Sequence, residues 1–165
     1  MSIPTDDRTR LAALEARLAE LEDREAIRNL VASYGPLADS GDAAGVAALW
    51  AEDGVYAVGG FGENAGREAV AALIRAPFHQ QLMQDGCAHA LGPVYIRIDG
   101  ERALAIGYSV VFRRAGEGFE AWRVSANRWE LEKREGRWQV SRRRNALLDG
   151  DAAARALLAP PDAWE

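Results

Sequence analysis

The spacing of apolar side chains along this chain changes at Gly86, and that change constrains the fold more than any other feature. Before Gly86 apolar residues recur every three or four positions, as in helices, and after it they alternate, as in strands. Four β-runs follow, at residues 87–98, 102–114, 119–134 and 137–147, with short turns containing glycine between them. Such turns predict hairpins and an antiparallel sheet. Helices followed by this sheet predict an α+β domain with the helices on one face.

The helical half begins with leucines at 11, 14, 18 and 21, which form one helical stripe that we interpret as a core or subunit contact. The apolar pattern continues to about Asp39, and Gly35-Pro36 predicts a kink in the last turn, because proline lacks an amide hydrogen. The remaining elements expected before Gly86 are a helix at 43–50, a strand at 55–58, and a helix from Gly66 that is interrupted at Pro77.

Long antiparallel strands twist and curve, so the concave face and the helices are expected to enclose a pocket. We expect a helical extension over residues 1–20, the main domain over 21–148, and a tail over 149–165.

Composition and charge exclude several classes of partner. Lys and Arg total 20 against 25 acidic residues, for a net charge of -5, and 48% of the residues are hydrophobic. This balance is typical of a globular protein and argues against nucleic acid or an anionic membrane as partner. The single cysteine, Cys87, excludes an internal disulfide, and no zinc-type spacing is present. The absence of a signal-peptide pattern and of a bilayer-spanning stretch predicts a cytoplasmic protein.

Only two histidines occur in the chain, and one of them suggests a chemical function. His89 lies at the head of the first β-run, and Asp39 ends the first helical region. If the two side chains meet, the imidazole can act as a base while the carboxylate fixes its tautomer. The alternatives are a core or surface histidine and an aspartate that caps a helix. His79 lies in a predicted helix and is interpreted as an ordinary histidine.

The late strands carry polar side chains at alternate positions, including Arg123, Ser125, Asn127, Arg143 and Asn145. Alternate residues share one face of a strand, so these sets line a pocket or face solvent or a neighbouring subunit. A second alternation predicts an apolar pocket wall suited to a ring-shaped substrate: Leu104, Ile106, Tyr108, Val110 and Phe112.

The order of these elements, together with local motifs, resembles the SnoaL-like branch of the nuclear-transport-factor-2-like superfamily. The motifs that carry the resemblance are DREAIRNL at 23–30, the spacing from Tyr34 to Asp39, GD at 41–42, LWAEDG at 49–54, GREA at 66–69, and AH at 88–89 before a strand that ends in DG at 99–100. The resemblance implies a cone-shaped α+β barrel in which a strongly curved, mainly antiparallel sheet encloses a pocket. Within this branch the chain is similar to scytalone dehydratase, bile-acid dehydratase and lindane dehydrochlorinase.

The resemblance implies proton abstraction by His89, oriented by Asp39, with Tyr34 as a hydrogen-bond donor. This chemistry requires neither a metal nor an organic cofactor, and the apolar wall predicted on the second β-run indicates a hydrophobic, cyclic small-molecule substrate. Relatives form trimers or dimers, so a homo-oligomer is expected. The full set of expected substrate-binding residues is Tyr56, Cys87, Trp50, Phe112, Val110, Ser125, Asn127, Arg143 and Asn145.

The chain departs from these relatives in one respect. Scytalone dehydratase carries a second histidine in the sheet and bile-acid dehydratase an aspartate, whereas the stretch near 110–114 offers Phe112 and no acid or imidazole. Two functions therefore stay open: a lyase or isomerase, and a non-catalytic binding or assembly subunit like the small subunit of ring-hydroxylating dioxygenases. A pocket-facing pair of Asp39 and His89 favours the enzyme, and a filled pocket with His89 unpaired favours the second.

Overall fold

The computed structural model describes residues 5–160, so the ends of the expected extension and tail, residues 1–4 and 161–165, lie outside the described residues. The helices are α1 (Thr5–Asp39), α2 (Ala43–Ala48), α3 (Arg67–Arg75), α4 (Pro77–Asp85) and α5 (Ala152–Ala156). The strands are β1 (Trp50–Val58), β2 (Gly62–Ala65), β3 (Cys87–Leu91), β4 (Tyr95–Asp99), β5 (Arg102–Ala115), β6 (Gly118–Arg134) and β7 (Arg137–Leu147). No helix among residues 5–160 is long and apolar enough to cross a membrane.

The strands form one mixed sheet in the order β2-β1-β7-β6-β5-β3, and β4 also pairs with β5. The expected antiparallel meander is confirmed in β5, β6 and β7, and among the strand pairings within residues 5–160 only that of β1 with β7 is parallel. The turn between β6 and β7 places Glu135 at φ 52° and Gly136 at φ 76°. Two consecutive positive φ values define the hairpin turn whose twist matches that of the strands.

Two local expectations differ from the structure, and the expected interruption of the third helix at Pro77 is confirmed. The first β-run is two strands, β3 and β4, because Gly92-Pro93 separates them, and they pair with opposite ends of β5. The predicted third helix restarts at Pro77, whose missing amide hydrogen is harmless in a first helical turn. The second helix ends at Ala48, and the chain enters β1 at Trp50, which is fully buried opposite Val140.

Helix α1 packs only its second half on the sheet. Ile27, Val31, Tyr34 and Ala38 repeat at helical spacing and are each at most 6% exposed, so they form the stripe that joins the core. Asp23 fastens this half to the far end of the sheet, where it accepts hydrogen bonds from Lys133 Nζ at 2.7 Å and Trp138 Nε1 at 2.8 Å. The leucines of the first half do not join the core, since Leu11, Leu14, Leu18 and Leu21 are all more than half exposed.

Candidate active site

A cavity of about 180 Å³ lies between the concave face of the sheet and helices α1, α3 and α4. Its wall is mainly apolar. Aromatic rings form its rim, where the ring of Phe78 lies 5.9 Å from that of Phe61 and 5.8 Å from that of Trp122. Phe61 and Phe78 are both more than half exposed, so they mark the mouth of the cavity. The polar groups that reach the interior are few, as in small-molecule sites generally.

His89 and Asp39 meet at one wall of this cavity. Nδ1 of His89 lies 2.5 Å from Oδ1 of Asp39, and the backbone N–H of His89 donates to Oδ2 at 2.7 Å. Burial alone would raise the pKa of Asp39, but the hydrogen bonds from the ring and backbone of His89 outweigh it and hold that pKa below its usual value. An ionised Asp39 can only accept, so Nδ1 of His89 carries a hydrogen, and in the neutral form of the ring the lone pair is on Nε2.

Cys87 completes the surroundings of the Asp39 carboxylate. Its thiol donates to Oδ1 at 3.5 Å, and burial, followed by the negative charge of Asp39, raises the pKa of this thiol to about 11. Cys87 therefore remains a neutral donor at physiological pH. The Asp39, Cys87 and His89 ligand atoms lie within 4.8 Å of one another, which is close enough for a metal site. The hydrogen bond between Asp39 and His89 occupies Nδ1 of His89 and Oδ1 of Asp39, and we assign no metal.

Gly35 explains how α1 reaches the edge of the sheet at this point. β3 is an edge strand, so the N–H and carbonyl of His89 point away from β5 toward α1. A Cβ atom at Gly35 would lie 2.1 Å from the His89 carbonyl oxygen, which is far inside van der Waals contact. Glycine thus lets the strand approach the helix closely enough for Asp39, one turn further on, to reach both the ring and the backbone of His89.

Arg143 lies at the base of the cavity and is 2% exposed. Its guanidinium carbon is 4.0 Å from the ring centroid of Trp129, 4.1 Å from that of Tyr34 and 4.5 Å from that of Tyr56. Aromatic faces stabilise a buried cation electrostatically. Asn127 accepts from Nε and Nη2, whereas Nη1 has no hydrogen-bond partner among the described residues.

A polar network on β5, β6 and β7 holds these groups in place. Asn127 donates to Ser109 Oγ at 2.8 Å and accepts from Asn145 at 3.1 Å. Asn145 in turn accepts from Arg123 Nη2 at 3.1 Å, and Arg123 also donates to the Gly59 carbonyl at 2.6 Å. Burial lowers the pKa of Arg123, but a guanidinium keeps its charge at neutral pH. The base of the cavity is therefore positively charged.

His79 supplies a second imidazole: it lies on a helix, as expected, and its ring also lines the cavity. It extends from α4 into the cavity, with its ring centroid 5.5 Å from that of His89. Burial, and secondarily the neighbouring His89, lowers the pKa of His79, so its ring is neutral at physiological pH. Neither ring nitrogen has a hydrogen-bond partner within residues 5–160.

All of the expected site residues except Val110 and Phe112 fall into three groups. Those that line the cavity are Tyr34, Tyr56, His89, Arg143 and Asn145. Asp39 lies behind His89 and hydrogen-bonds to it directly, and Cys87 hydrogen-bonds to Asp39. Trp50, Ser125 and Asn127 are buried beneath the cavity, where Trp50 packs on Tyr56 with ring centroids 5.4 Å apart.

Val110 and Phe112 lie on the opposite face of β5, so the apolar pocket wall predicted there is wrong. His89 of β3 pairs with Val111 of β5, and directly paired residues point to the same side of a sheet. Since His89 faces the cavity, Val111 and Ser109 face it too. The alternation in β5 was visible in the sequence, but its register with β3 was not.

The structure adds His79, Phe61, Phe78 and Trp122 to the cavity, and Arg123 of the alternating polar set also lines it. One signal was available for His79: it precedes Leu82 by three positions in a predicted helix, and Leu82 is apolar. Residues three apart share a helix face, so His79 follows the inward side. The contribution of Arg123 depends on strand register.

Comparisons with known proteins identify the family and the fold of this chain. The sequence profile of the SnoaL-like domain matches residues 19–144. An NTF2-like protein of cystatin-like fold from Novosphingobium aromaticivorans is 56% identical, with a TM-score of 0.89 over 91% of this chain and 97% of that one. Aln2 from a Streptomyces species is 19% identical, with a TM-score of 0.70 over 82% of this chain and 96% of that one. No curated protein matches. The chain belongs to the SnoaL-like domain family and has the NTF2-like fold.

Proposed function

We propose that this protein is a cofactor-free lyase or isomerase that removes a proton from a hydrophobic, ring-shaped small molecule. The observation that carries the proposal is the hydrogen bond between Asp39 and His89 at the wall of an open cavity. A non-catalytic binding subunit requires neither an oriented imidazole nor a carboxylate behind it.

In this proposal His89 is the base. Its Nε2 lone pair takes the substrate proton, and the Asp39 carboxylate stabilises the imidazolium that results. Asp39 is the positioning residue, because its carboxylate accepts one hydrogen bond from the ring and one from the backbone of His89 and is itself held by Cys87.

Negative charge then develops on the substrate, as an enolate or on a leaving group. Arg143 and Arg123 lie at the base of the cavity, and Tyr34 and Tyr56 flank Arg143. Fixed cations in a water-poor site stabilise such charge more strongly than they would in water, because the dielectric is low. We assign Arg143 and Tyr34 to this electrostatic role.

His79 fills the role of the second acid–base group that the sheet lacks near Phe112. A neutral imidazole can donate from one nitrogen and accept at the other. Positioned 5.5 Å from His89 between ring centroids, it can contact the same substrate. We propose that His79 hydrogen-bonds the leaving group or returns the proton at a second atom.

The cavity volume limits the size of the substrate. An apolar cavity of about 150 Å³ holds one benzene molecule. The cavity here is about 180 Å³ and opens at the aromatic rim, so it accommodates one substituted ring with its remainder at the mouth.

The test is deuterium incorporation. Cyclic ketones and β-hydroxy cyclic ketones are incubated with the protein in D₂O, and exchange of the acidic C–H is followed by proton NMR. For any compound that exchanges, His89→Ala should reduce the rate by about 10²–10⁴-fold, the usual contribution of general-base catalysis.

Asp23→Asn is the matched control for Asp39→Asn. Asp23 is also a hydrogen-bonded aspartate of α1, but it faces Lys133 and Trp138 away from the cavity. Asp39→Asn should slow exchange and Asp23→Asn should not. Undiminished exchange in His89→Ala would refute the base assignment.

A further inference from the structure

The first half of α1 exposes an apolar stripe that nothing in the described part of the domain covers. Every side chain of residues 6–22 is exposed, and Leu11, Leu14, Leu18 and Leu21 are 54%, 59%, 57% and 62% exposed, respectively. Contiguous apolar surface of this kind marks an interaction site.

The stripe has heptad spacing. The leucines follow one another by three, four and three residues, so Leu11 and Leu18 take positions a and Leu14 and Leu21 positions d of a heptad abcdefg. Leucines at both positions, repeated every 3.5 residues, form the seam of a coiled coil.

The flanking positions carry ordered charges. Positions g hold Arg10 and Arg17, and positions e hold Glu15 and Glu22. None of the four forms an ion pair with any residue of the 5–160 range. All four are free to pair with another helix.

The stripe also points away from the body of the domain. At about 100° per residue, it lies about 150° around the helix from the face of α1 that packs on the sheet. A second helix that packs on the leucines therefore does not collide with the sheet. The two domains would lie on opposite sides of the helix pair.

We propose that this stripe binds the same segment of a second copy of the chain, in a parallel coiled coil. In a parallel pair each g residue faces the e residue of the next heptad on the partner helix, which sets Arg10 against Glu15 and Arg17 against Glu22. An antiparallel pair would instead oppose arginine to arginine and glutamate to glutamate.

A lipid surface is a poorer occupant. Residues 6–22 carry more acidic than basic side chains and no aromatic residue. Helices that bind anionic membranes are rich in lysine, arginine and aromatic residues.

The first experiment is sedimentation velocity of the full chain over a concentration series. Wild type should sediment as an oligomer, and Leu14→Glu/Leu18→Glu should lose that association. Ala16→Glu/Ala19→Glu is the matched control, because it adds the same charge outside the seam. Circular dichroism checks that α1 stays helical. A monomeric wild type, or a leucine variant of unchanged mass, overturns the proposal.

The second experiment tests the charges. Arg17→Glu and Glu22→Arg should each weaken association, and the double variant should restore it, because the pair reforms with its signs exchanged. Failure of the double variant to recover overturns the assigned pairing.

The third experiment tests direction. In a Cys87→Ser background, Leu14→Cys should form an intermolecular disulfide, since equivalent d positions face each other in a parallel pair. A disulfide that forms only between Leu14→Cys and Leu18→Cys chains indicates an antiparallel pair and overturns the proposal. A matched chain with Glu20→Cys, outside the seam, should not cross-link.

Discussion

Replacing Asp39 by asparagine should invert the tautomer of His89. The backbone N–H of His89 is a fixed donor, so the asparagine must offer its oxygen there, as Asp39 Oδ2 does now at 2.7 Å. Its amide NH₂ then faces Nδ1, which must accept. The ring hydrogen moves to Nε2, and the lone pair needed for proton abstraction is lost.

Asp39→Asn should lower the free energy of unfolding only modestly. Asparagine keeps both contacts but makes them neutral, and a neutral hydrogen bond contributes about 1 kcal/mol less than a charged one. The Asp39 side chain is 25% exposed, which reduces the difference. We expect Asp39→Asn to lose about 1–2 kcal/mol of unfolding free energy and Asp39→Ala about 3–4 kcal/mol, because alanine leaves two donors of His89 unpaired.

The measurement is a long-range ¹H–¹⁵N correlation spectrum of protein labelled at histidine. Only His79 and His89 contribute, and a His79→Gln sample assigns them. Wild type should show His89 protonated at Nδ1, and Asp39→Asn should show it protonated at Nε2. Urea unfolding of the three proteins measures the free energies.

Two results would refute this reasoning. One is a wild-type His89 that carries its hydrogen on Nε2. The other is Asp39→Asn with the tautomer unchanged, which would mean that the asparagine does not take over both contacts of Asp39.

Three further predictions follow from the same geometry. Gly35→Ala should lose about 1–3 kcal/mol of unfolding free energy, measured in urea, because the added methyl group pushes α1 away from β3. A variant as stable as wild type would contradict the close approach of the helix to the strand. Burial, and secondarily His89, lowers the pKa of His79 in the folded protein. As the pH falls, the His79 ring is therefore protonated first in the unfolded chain, and the free energy of unfolding should decrease below about pH 6.5. His79→Gln should remove that part of the pH dependence of the urea midpoint, and an unchanged profile would contradict it. Burial raises the pKa of Asp39, but the hydrogen bonds from His89 outweigh it and hold that pKa below its usual value. The ionised Asp39 therefore stabilises the folded protein above about pH 4, and this contribution is lost in stronger acid as the pH falls through the folded-state pKa. Asp39→Asn should flatten the stability profile only in that acidic range, and a profile parallel to wild type would count against the charged pair.

Local sequence determined most of the architecture, because periodicity and turn chemistry act over a few residues. The change of period at Gly86 predicted the antiparallel meander, and glycine turns predicted its hairpins. The first and last residues of two elements differ from the prediction. Gly92-Pro93 divides one β-run into two strands, and the burial of Trp50 extends β1 into a segment predicted to be helical.

The candidate site was predicted in part. Residue types made Asp39 and His89 candidates and the resemblance to a family assigned them to one site, and the structure places Nδ1 of His89 2.5 Å from the carboxylate. The wall at Val110 and Phe112 was wrong because a shift of one residue in the pairing of two strands exchanges their faces.

What the sequence by itself determined is therefore the order of helices and strands and the residue types capable of proton transfer. The tertiary structure alone decided which of them share a cavity. Residues fifty positions apart, such as Asp39 and His89, meet only because Gly35 lets an edge strand touch α1. His79 and Arg123 enter the site through helix packing and strand register, which depend on contacts distant along the chain rather than on any local pattern.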